Sequence, residues 1–408
     1  MNVWLVNPFD PLPGEQARAG RYAFFAEVLS KAGHTVTWWT SAFFHSTKSY
    51  RNAMTWQGHL PDGITVKTLW APVYYQNIGI RRLLSHLIWA RNLYKAFCVI
   101  GVPPDVIIAS SPPLYGVDRV LHIAHRRNAK VIVDIQDLWP EAFGVSFPHS
   151  VRWLGMVLLQ PLKVLEDANF RRADGLIAIS QTLLNRALAV GRENKAVRVI
   201  PLGVDVGVYE RAAHIRTSPW QKQEDEFWVT YVGTVGKTYD TETIIQAARS
   251  LIRDEPKIKF FIAGDGPLLQ ANQEKVERWG LSNVVFTGLL PLDTLAQLLI
   301  QADVGLSAIA FGAVSAFPNK VFDYWAAGLP VISSVRGELE AFIQQHGVGL
   351  SYEAGQAKSL REAILKLYRA PDLRTEMGAR GYRLSRERFD RHITHGALLE
   401  LIEELCGE

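Results

Sequence analysis

The chain reads as an α/β protein built from two doubly wound, Rossmann-like domains, and three observations carry that reading. Short apolar runs alternate with helical stretches along most of the sequence. The alternation breaks once, in a polar, turn-rich stretch at 206–227, and then restarts. The length of 408 residues is too great for one ordinary domain and suits two of roughly 200.

In the first half, strands are expected at 3–6, 35–40, 106–109, 130–135, 175–179 and 197–202. The stretch 206–227, with Pro219 and a charged run at 222–226, reads as a linker. Strands resume at 228–232, 259–263, 284–287, 304–307 and 330–333. The expected organisation is therefore an N-terminal domain at 1–205, a linker at 206–227 and a C-terminal domain at 228–385. A final amphipathic helix within 386–408 is placed to pack back on the N-terminal domain. Two successive domains of this kind imply an interdomain cleft, and ligands of such sheets bind beyond the carboxyl ends of the strands.

Composition narrows the class. Hydrophobic residues make up 48% and charged residues 21%, which fits a packed chain and excludes a disordered one. Cys98 and Cys406 offer neither a disulfide framework nor metal-ligand spacing, so no metal and a reducing, cytoplasmic setting are expected. His45, His86, His122 and His125 lack a suitable i, i+4 ligand partner and read as structural or surface residues. The N-terminus lacks the basic leader of a signal peptide, and the apolar run at 153–165 is interrupted and too short to span a bilayer.

The net charge of +4 conceals an asymmetry. Residues 1–205 carry 22 Lys and Arg against 14 Asp and Glu, whereas 206–408 carry 22 against 26. A basic front half suits an anionic partner, with accidental surface composition as the alternative. Within it, 80–97 reads as a helix with Leu83, Leu87, Tyr94 and Phe97 near one face and Arg81, Arg82, Arg91 and Lys95 as cations. It is either a helix packed on the sheet or an interfacial helix touching anionic lipid.

Three loops of the second half carry candidate chemistry. The strand at 260–263 runs into Gly264-Asp265-Gly266-Pro267, a tight turn whose glycines would let a ligand approach the backbone. Val232-Gly233-Thr234-Val235-Gly236-Lys237 places two glycines and a lysine at the end of another strand, a second candidate phosphate contact. After the strand at 304–307 comes Ser315-Ala316-Phe317-Pro318-Asn319-Lys320, with Pro318 suited to a first helical turn and Gly328 to its end. A helix start offers free N–H groups to a diphosphate. Lys320 carries the wrong sign for that helix end, so a bound anion would explain it; a solvated lysine is the bland reading. Asp323, one turn beyond Pro318, could accept hydrogen bonds from a ribose.

The chain resembles glycosyltransferase family 4, with the GT-B fold, and in particular the bacterial members that build capsule, O-antigen or exopolysaccharide. The residues carrying the resemblance run nearly end to end: Gly33-His34-Thr35-Val36, Ser110-Ser111-Pro112-Pro113, Asp137-Leu138-Trp139-Pro140-Glu141, Ala173-Asp174-Gly175-Leu176 and Gly203-Val204-Asp205. In the second half they are Gly264-Asp265-Gly266-Pro267, Pro318-Asn319-Lys320 and Ala326-Ala327-Gly328-Leu329-Pro330.

The resemblance implies a nucleotide-sugar donor in the second domain, an acceptor in the first, and transfer with retention and without metal or cofactor. The donor set it implies is Gly14, Gly233, Gly236, Lys237, Gly264, Asp265, Gly266, Ser315, Ala316, Phe317, Asn319, Lys320 and Asp323. Asp137 and Glu141 would orient or activate the acceptor hydroxyl, or else be a helix-starting cap and a surface acid, with Lys320 stabilising the departing diphosphate. Trp139 could stack on a sugar, or be core. The acceptor would be a saccharide on a polyprenyl diphosphate, at the inner face of the plasma membrane.

The departures from the family pattern are specific. Its two glutamates fall on Ser315 and Asp323, its first-loop Arg and Lys on Thr234 and Tyr239, and its paired glycines on Gln16 and Ala17, flanked by Gly14 and Gly20. A non-catalytic nucleotide-sugar-binding protein, or an epimerase, are the alternatives.

Overall fold

The structure is a computed structural model that describes residues 1–15, 20–51, 56–60, 63–77, 79–141, 143, 152–190, 196–215, 218–312 and 317–407. The chain divides into two compact units, Met1–Pro201 with Thr394–Glu408, and Leu202–Ile393.

The first unit runs β1 (Asn2–Val6), α1 (Arg21–Lys31), β2 (Thr35–Ser41), the short strands β3 (Phe43–Phe44) and β4 (Ser49–Tyr50), β5 (Trp56–His59) and β6 (Thr65–Leu69). It continues with α2 (Ile80–Val99), β7 (Val106–Ser111), α3 (Leu114–Arg126), β8 (Lys130–Ile135), α4 (Arg152–Leu158), α5 (Gln160–Arg172), β9 (Gly175–Ala178), α6 (Gln181–Leu188) and β10 (Ala196–Val199). Eight strands form one sheet in the order β10-β9-β8-β7-β1-β2-β6-β5. Every neighbouring pair is parallel except β5 with β6.

Both faces of this sheet are covered, as strands buried on both sides require. Trp4, Trp39, Ile107 and Val133 pack with Trp89, Leu93 and Phe97 of α2 on one side. Val3, Leu5, Trp38 and Ile108 pack with Tyr22 and Phe25 of α1 on the other.

The second unit runs α7 (Val206–Ala213), β11 (Phe227–Val232), α8 (Thr241–Leu251), β12 (Ile258–Ala263), α9 (Leu269–Arg278), β13 (Val284–Gly288), α10 (Leu292–Leu299) and β14 (Val304–Ser307). Then follow α11 (Lys320–Ala326), β15 (Val331–Ser333), α12 (Glu338–His346), β16 (Gly349–Ser351), α13 (Ala357–Tyr368), α14 (Pro371–Arg388) and α15 (Arg391–Thr394). Its six strands are all parallel, in the order β13-β12-β11-β14-β15-β16. The last helix, α16 (Gly396–Cys406), belongs to the first unit, where Leu398, Leu401 and Ile402 join the α1 face of the core.

The α/β class and both doubly wound sheets agree with the sequence reading. The linker does not. The stretch read as 206–227 contains α7, whose Val206, Val208, Tyr209 and Ala212 are buried in the core of the second unit. Those four residues lie along one helical stripe, and tertiary packing against α10 makes a helix of a segment whose flanking residues are polar.

Candidate functional site

In the second unit β12 and β13 lie on one side of β11, and β14 to β16 on the other. The winding reverses between β11 and β14, where doubly wound sheets open a binding crevice at the carboxyl ends of their strands. Three of the loops singled out in the sequence leave β11, β12 and β14 at that edge.

The loops after β11 and β12 are zipped together by backbone hydrogen bonds. Gly233 N donates to Ala263 O at 2.9 Å, Val235 N to Asp265 O at 3.0 Å, and Leu268 N to Val235 O at 3.0 Å. Glycine is required for this approach: a Cβ on Gly264 would lie 1.9 Å from Gly233 O, and one on Gly266 would lie 2.4 Å from Val235 O. The Tyr231 hydroxyl donates to Thr234 O at 2.8 Å and fixes the first loop from below.

Lys320, first residue of α11, reaches into this arrangement. The residue is 8% exposed, and its Nζ makes no hydrogen bond among the described residues. The ammonium lies 4.0 Å from the centroid of the Tyr231 ring and 4.6 Å from that of Tyr239. A Cβ on Gly233 would come 2.9 Å from Nζ, so the missing side chain of that glycine is what makes room for it. Two ring faces compensate a desolvated cation only in part. Burial accordingly pushes the Lys320 ammonium down to about 7. The site thus holds a cation short of hydrogen-bond acceptors at a glycine-lined strand edge, an arrangement complementary to an anion. Tyr231 and Tyr239 were not assigned a role from sequence; β11 is buried on both faces, so nothing local shows what Tyr231 meets.

The helix behind Lys320 is shorter than expected. It spans Lys320–Ala326, preceded by the i to i+3 bonds of Val321 N to Pro318 O and Phe322 N to Asn319 O. Two turns carry little of a helix dipole, so the ammonium is the main local charge. Asn319 is exposed and its side chain caps nothing. Phe317 packs against Phe322, Trp325, Phe342 and Phe389. Ser315 and Ala316 lie outside the described residues, as do Gln16 and Ala17.

Gly236 is buried and Lys237 is exposed on the turn closed by Tyr239 N to Gly236 O. Asp265 is exposed and caps its own turn through Gly266 N, at 2.7 Å from Oδ1. Asp323 departs from the ribose role: it is 2% exposed, and its Oδ1 accepts from the Tyr209 hydroxyl of α7 at 2.8 Å. Gly14 belongs to the first unit, in an exposed turn with φ of +88°.

The Asp137–Glu141 turn follows β8 in the first unit. Trp139 N donates to Glu166 Oε1 at 2.9 Å, and Glu166 is fully buried. Glu141 Oε1 accepts from Lys163 Nζ at 2.7 Å and from Arg186 Nη2 at 3.0 Å. Desolvation works to raise the Glu141 pKa, but Lys163 and Arg186 outweigh it and the net direction is down. Glu141 is therefore an ion-paired brace for the turn, contrary to the expectation of an acceptor-activating base. Asp137 reaches solvent, though the protein packed around its carboxyl desolvates it and raises its pKa. Trp139 is buried, with His86 stacked at 5.3 Å and Arg82 above its ring, so its face is already covered.

Comparison with known proteins agrees with this geometry. A family model described as glycosyl transferase 4-like domain matches residues 22–203, and one described as glycosyl transferases group 1 matches 226–370. The chain is 24% identical over 251 residues to alpha-monoglucosyldiacylglycerol synthase of Streptococcus pneumoniae, covering 58% of this chain and 55% of that protein. It is 24% identical over 262 residues to O-antigen chain mannosyltransferase C of Escherichia coli, covering 64% and 68%. The chain thus spans from about half to about two thirds of the length of these curated relatives. Among solved structures, Anabaena HepE in complex with UDP superposes with a TM-score of 0.69 at 14% identity, covering 99% of this chain and 100% of that one. With a family model matched on each half and two parallel-sheet Rossmann-like units beneath them, the chain belongs to the group 1, family 4-like glycosyltransferases of GT-B fold.

Proposed function

We propose that the protein transfers a sugar from a nucleoside-diphosphate sugar to a saccharide acceptor during assembly of a cell-surface polysaccharide, with retention at the anomeric carbon. The observation that carries this reading is the buried, unpartnered ammonium of Lys320 at the glycine-lined edge of β11 and β12. A diphosphate there would supply the acceptors that the ammonium lacks. As the bond to the donor sugar breaks, negative charge grows on the departing diphosphate, and a preorganised cation in a dry site stabilises that charge strongly. Lys320 then supplies the counter-charge without a metal ion. The likeness to Anabaena HepE, whose structure holds UDP, supports a nucleotide donor.

The acceptor side of the proposal is a lipid-linked saccharide presented at a membrane. In support, α2 carries Arg81, Arg82, Arg91 and Lys95 and no acidic residue, and it leaves Ile80, Leu84 and Val99 exposed. No helix among the described residues is long and apolar enough to cross a membrane, so contact would be peripheral. Purified protein incubated with a panel of nucleotide sugars and polyprenyl-diphosphate saccharides should give transfer. Absence of both transfer and donor hydrolysis across a broad panel would sink the reading.

A second reading is a nucleotide-sugar-binding protein without turnover. It is favoured by one observation: Glu141 and Asp323 are both committed to internal partners. It predicts ligand-induced stabilisation with no product, and any measurable transfer ends it.

A further inference from the structure

A second polar cluster lies in the first unit, at the carboxyl edge of its sheet. Phe9 follows β1, His45 and Lys48 lie between β3 and β4, Tyr74 follows β6, Arg82 and His86 open α2, and Trp139 follows β8. The rings pack on one another: His45 and His86 lie 5.7 and 5.4 Å from Phe9, and His45 lies 5.6 Å from Tyr74. The guanidinium of Arg82 stands over this set, 4.7 Å from the Trp139 ring and 5.9 Å from the Tyr74 ring. The ammonium of Lys48 lies 5.0 Å from that same Tyr74 ring.

What the two cations lack is an anion. Lys48 Nζ donates to Asn77 Oδ1 at 2.7 Å, and Arg82 Nη1 donates to Asn77 O at 2.5 Å, so both lean on neutral oxygens of one residue. Neither forms an ion pair among the described residues. Among the described residues Arg82 Nε is buried without a hydrogen bond, and so is Nε2 of His86, a residue only 4% exposed. Two like charges held near one ring repel each other, and a structural purpose alone would be served better by one cation and one acid. Burial holds both imidazoles neutral, helped by Lys48 and Arg82 at His45, which sits at about 3, and by Arg82 at His86, which lies well below its ordinary range. The cluster therefore keeps its charge on Lys48 and Arg82, while the neutral His45 ring is held through Nδ1 by the Tyr74 hydroxyl at 2.6 Å and by Lys48 Nζ at 3.1 Å.

We propose that this cluster binds a phosphoryl group of the acceptor, with Arg82 and Lys48 as its ligands, so that the enzyme selects phosphorylated saccharides over neutral ones. Arg82 supplies a planar donor fork and Lys48 a point charge, a combination suited to a phosphate oxygen set. Asp137, in the loop after β8 at the same sheet edge, acts electrostatically on Arg82. This proposal rests on the transferase reading for its biological meaning, but the binding site can be tested apart from it.

The test begins with inorganic pyrophosphate titrated calorimetrically into the full chain, as wild type and as Arg82→Gln, Lys48→Gln and Lys320→Ala. We expect a pyrophosphate site that Arg82→Gln and Lys48→Gln each weaken tenfold or more and that Lys320→Ala leaves in place. Nucleoside-diphosphate binding should show the reverse pattern. The same saccharide is then offered as a polyprenyl diphosphate, as a soluble 1-phosphate and as a neutral alkyl glycoside. Both phosphorylated forms should be preferred at least tenfold in KM, and the two variants should erase that preference with the donor KM unchanged. A gap between the two phosphorylated forms assigns the remaining affinity to the lipid.

Equal use of the neutral glycoside, preference for a carboxylated acceptor, or pyrophosphate binding indifferent to Arg82 and Lys48 would each overturn the proposal. A merely structural Arg82 would lower the melting temperature and weaken all acceptors alike, which overturns it too. If no nucleotide binds at all, the transferase reading fails, while the pyrophosphate titration still decides the phosphoryl site.

Discussion

Lys320 holds an ammonium in a setting that favours its neutral form, and this fixes how the protein should respond to pH. Its folded pKa sits at about 7, whereas the unfolded chain keeps this lysine protonated up to its ordinary 10.5. Between those values the unfolded state binds more protons, so stability rises with pH through that window; below 7 the full cost of burying the charge is present. Lys320→Met should therefore stabilise the ligand-free protein below pH 7 by on the order of several kcal/mol, seen as a higher melting temperature. The gain should vanish near pH 10, and a thermal-shift series across pH reads it directly. The same variant, or Lys320→Ala, should weaken binding of a nucleoside diphosphate by roughly 1–3 kcal/mol, the range for a charged hydrogen bond.

Because a bound diphosphate keeps the ammonium protonated, wild-type affinity should fall as pH climbs above 7, by up to about tenfold per pH unit, and the variant's should not. Calorimetry at several pH values measures both. Lys320 was legible in the sequence because it follows a helix-starting Pro-Asn and has the wrong sign for its place. The fate of the neighbouring carboxylates was not. Tyr209 is 114 residues from Asp323, and Arg186 is 45 from Glu141. Partners at such distances leave no local trace, so each acid looked free. Glu141→Gln should accordingly lower the melting temperature and leave nucleotide affinity intact, whereas Asp137→Asn should lower kcat with little change in stability.

At the scale of elements, the site depends on two loops approaching more closely than any side chain permits. Gly264 and Gly266 face the backbone of Gly233 and Val235, and strand alternation plus glycine placement already pointed to that edge of the sheet. Gly264→Ala places a methyl 1.9 Å from a carbonyl oxygen, so the loop after β12 must withdraw. We expect a loss of roughly 1–3 kcal/mol in stability from the forced shift, and nucleotide binding reduced more than tenfold because the Gly233 loop loses its support over Lys320. A variant that binds nucleotide normally would show that the loop contact is dispensable.

The buried central strands were legible because they are apolar on both faces. β6 has only Val66 and Leu69 apolar among Thr65, Lys67 and Thr68, and β16 has only three residues, so neither stands out as an apolar run. The helix α7 was hidden for a related reason: its apolar stripe is clear only once α10 is there to receive it.

The whole molecule is asymmetric in how its chain closes. The second unit is one continuous stretch, Leu202–Ile393, with its own six-stranded sheet and a core on each face. The first unit is discontinuous and needs Thr394–Glu408 from the far end of the sequence. There α16 lies against α1 and β10, with Leu398, Leu401 and Ile402 fully buried, and Gly175 of β9 leaves the space that Leu405 fills.

Burying each of these aliphatic side chains stabilises by roughly 1.5–3 kcal/mol, so three of them together rival the roughly 5–15 kcal/mol of a whole domain. Truncation after Ile393 should therefore unfold or severely weaken the first unit while sparing the second. In a melt followed with and without nucleoside diphosphate, the ligand-responsive transition should persist and the ligand-independent one should disappear or shift down steeply. A fragment of residues 202–393 should likewise fold alone and bind nucleoside diphosphate within about tenfold of the full chain, since every residue assembled around Lys320 lies inside it. The single change Leu401→Ala makes the milder version of the same case, costing roughly 2–5 kcal/mol in the first unit only. Loss of nucleotide binding on truncation would show that the second unit cannot hold its donor loops by itself, and that the contiguous stretch is not an autonomous folding unit.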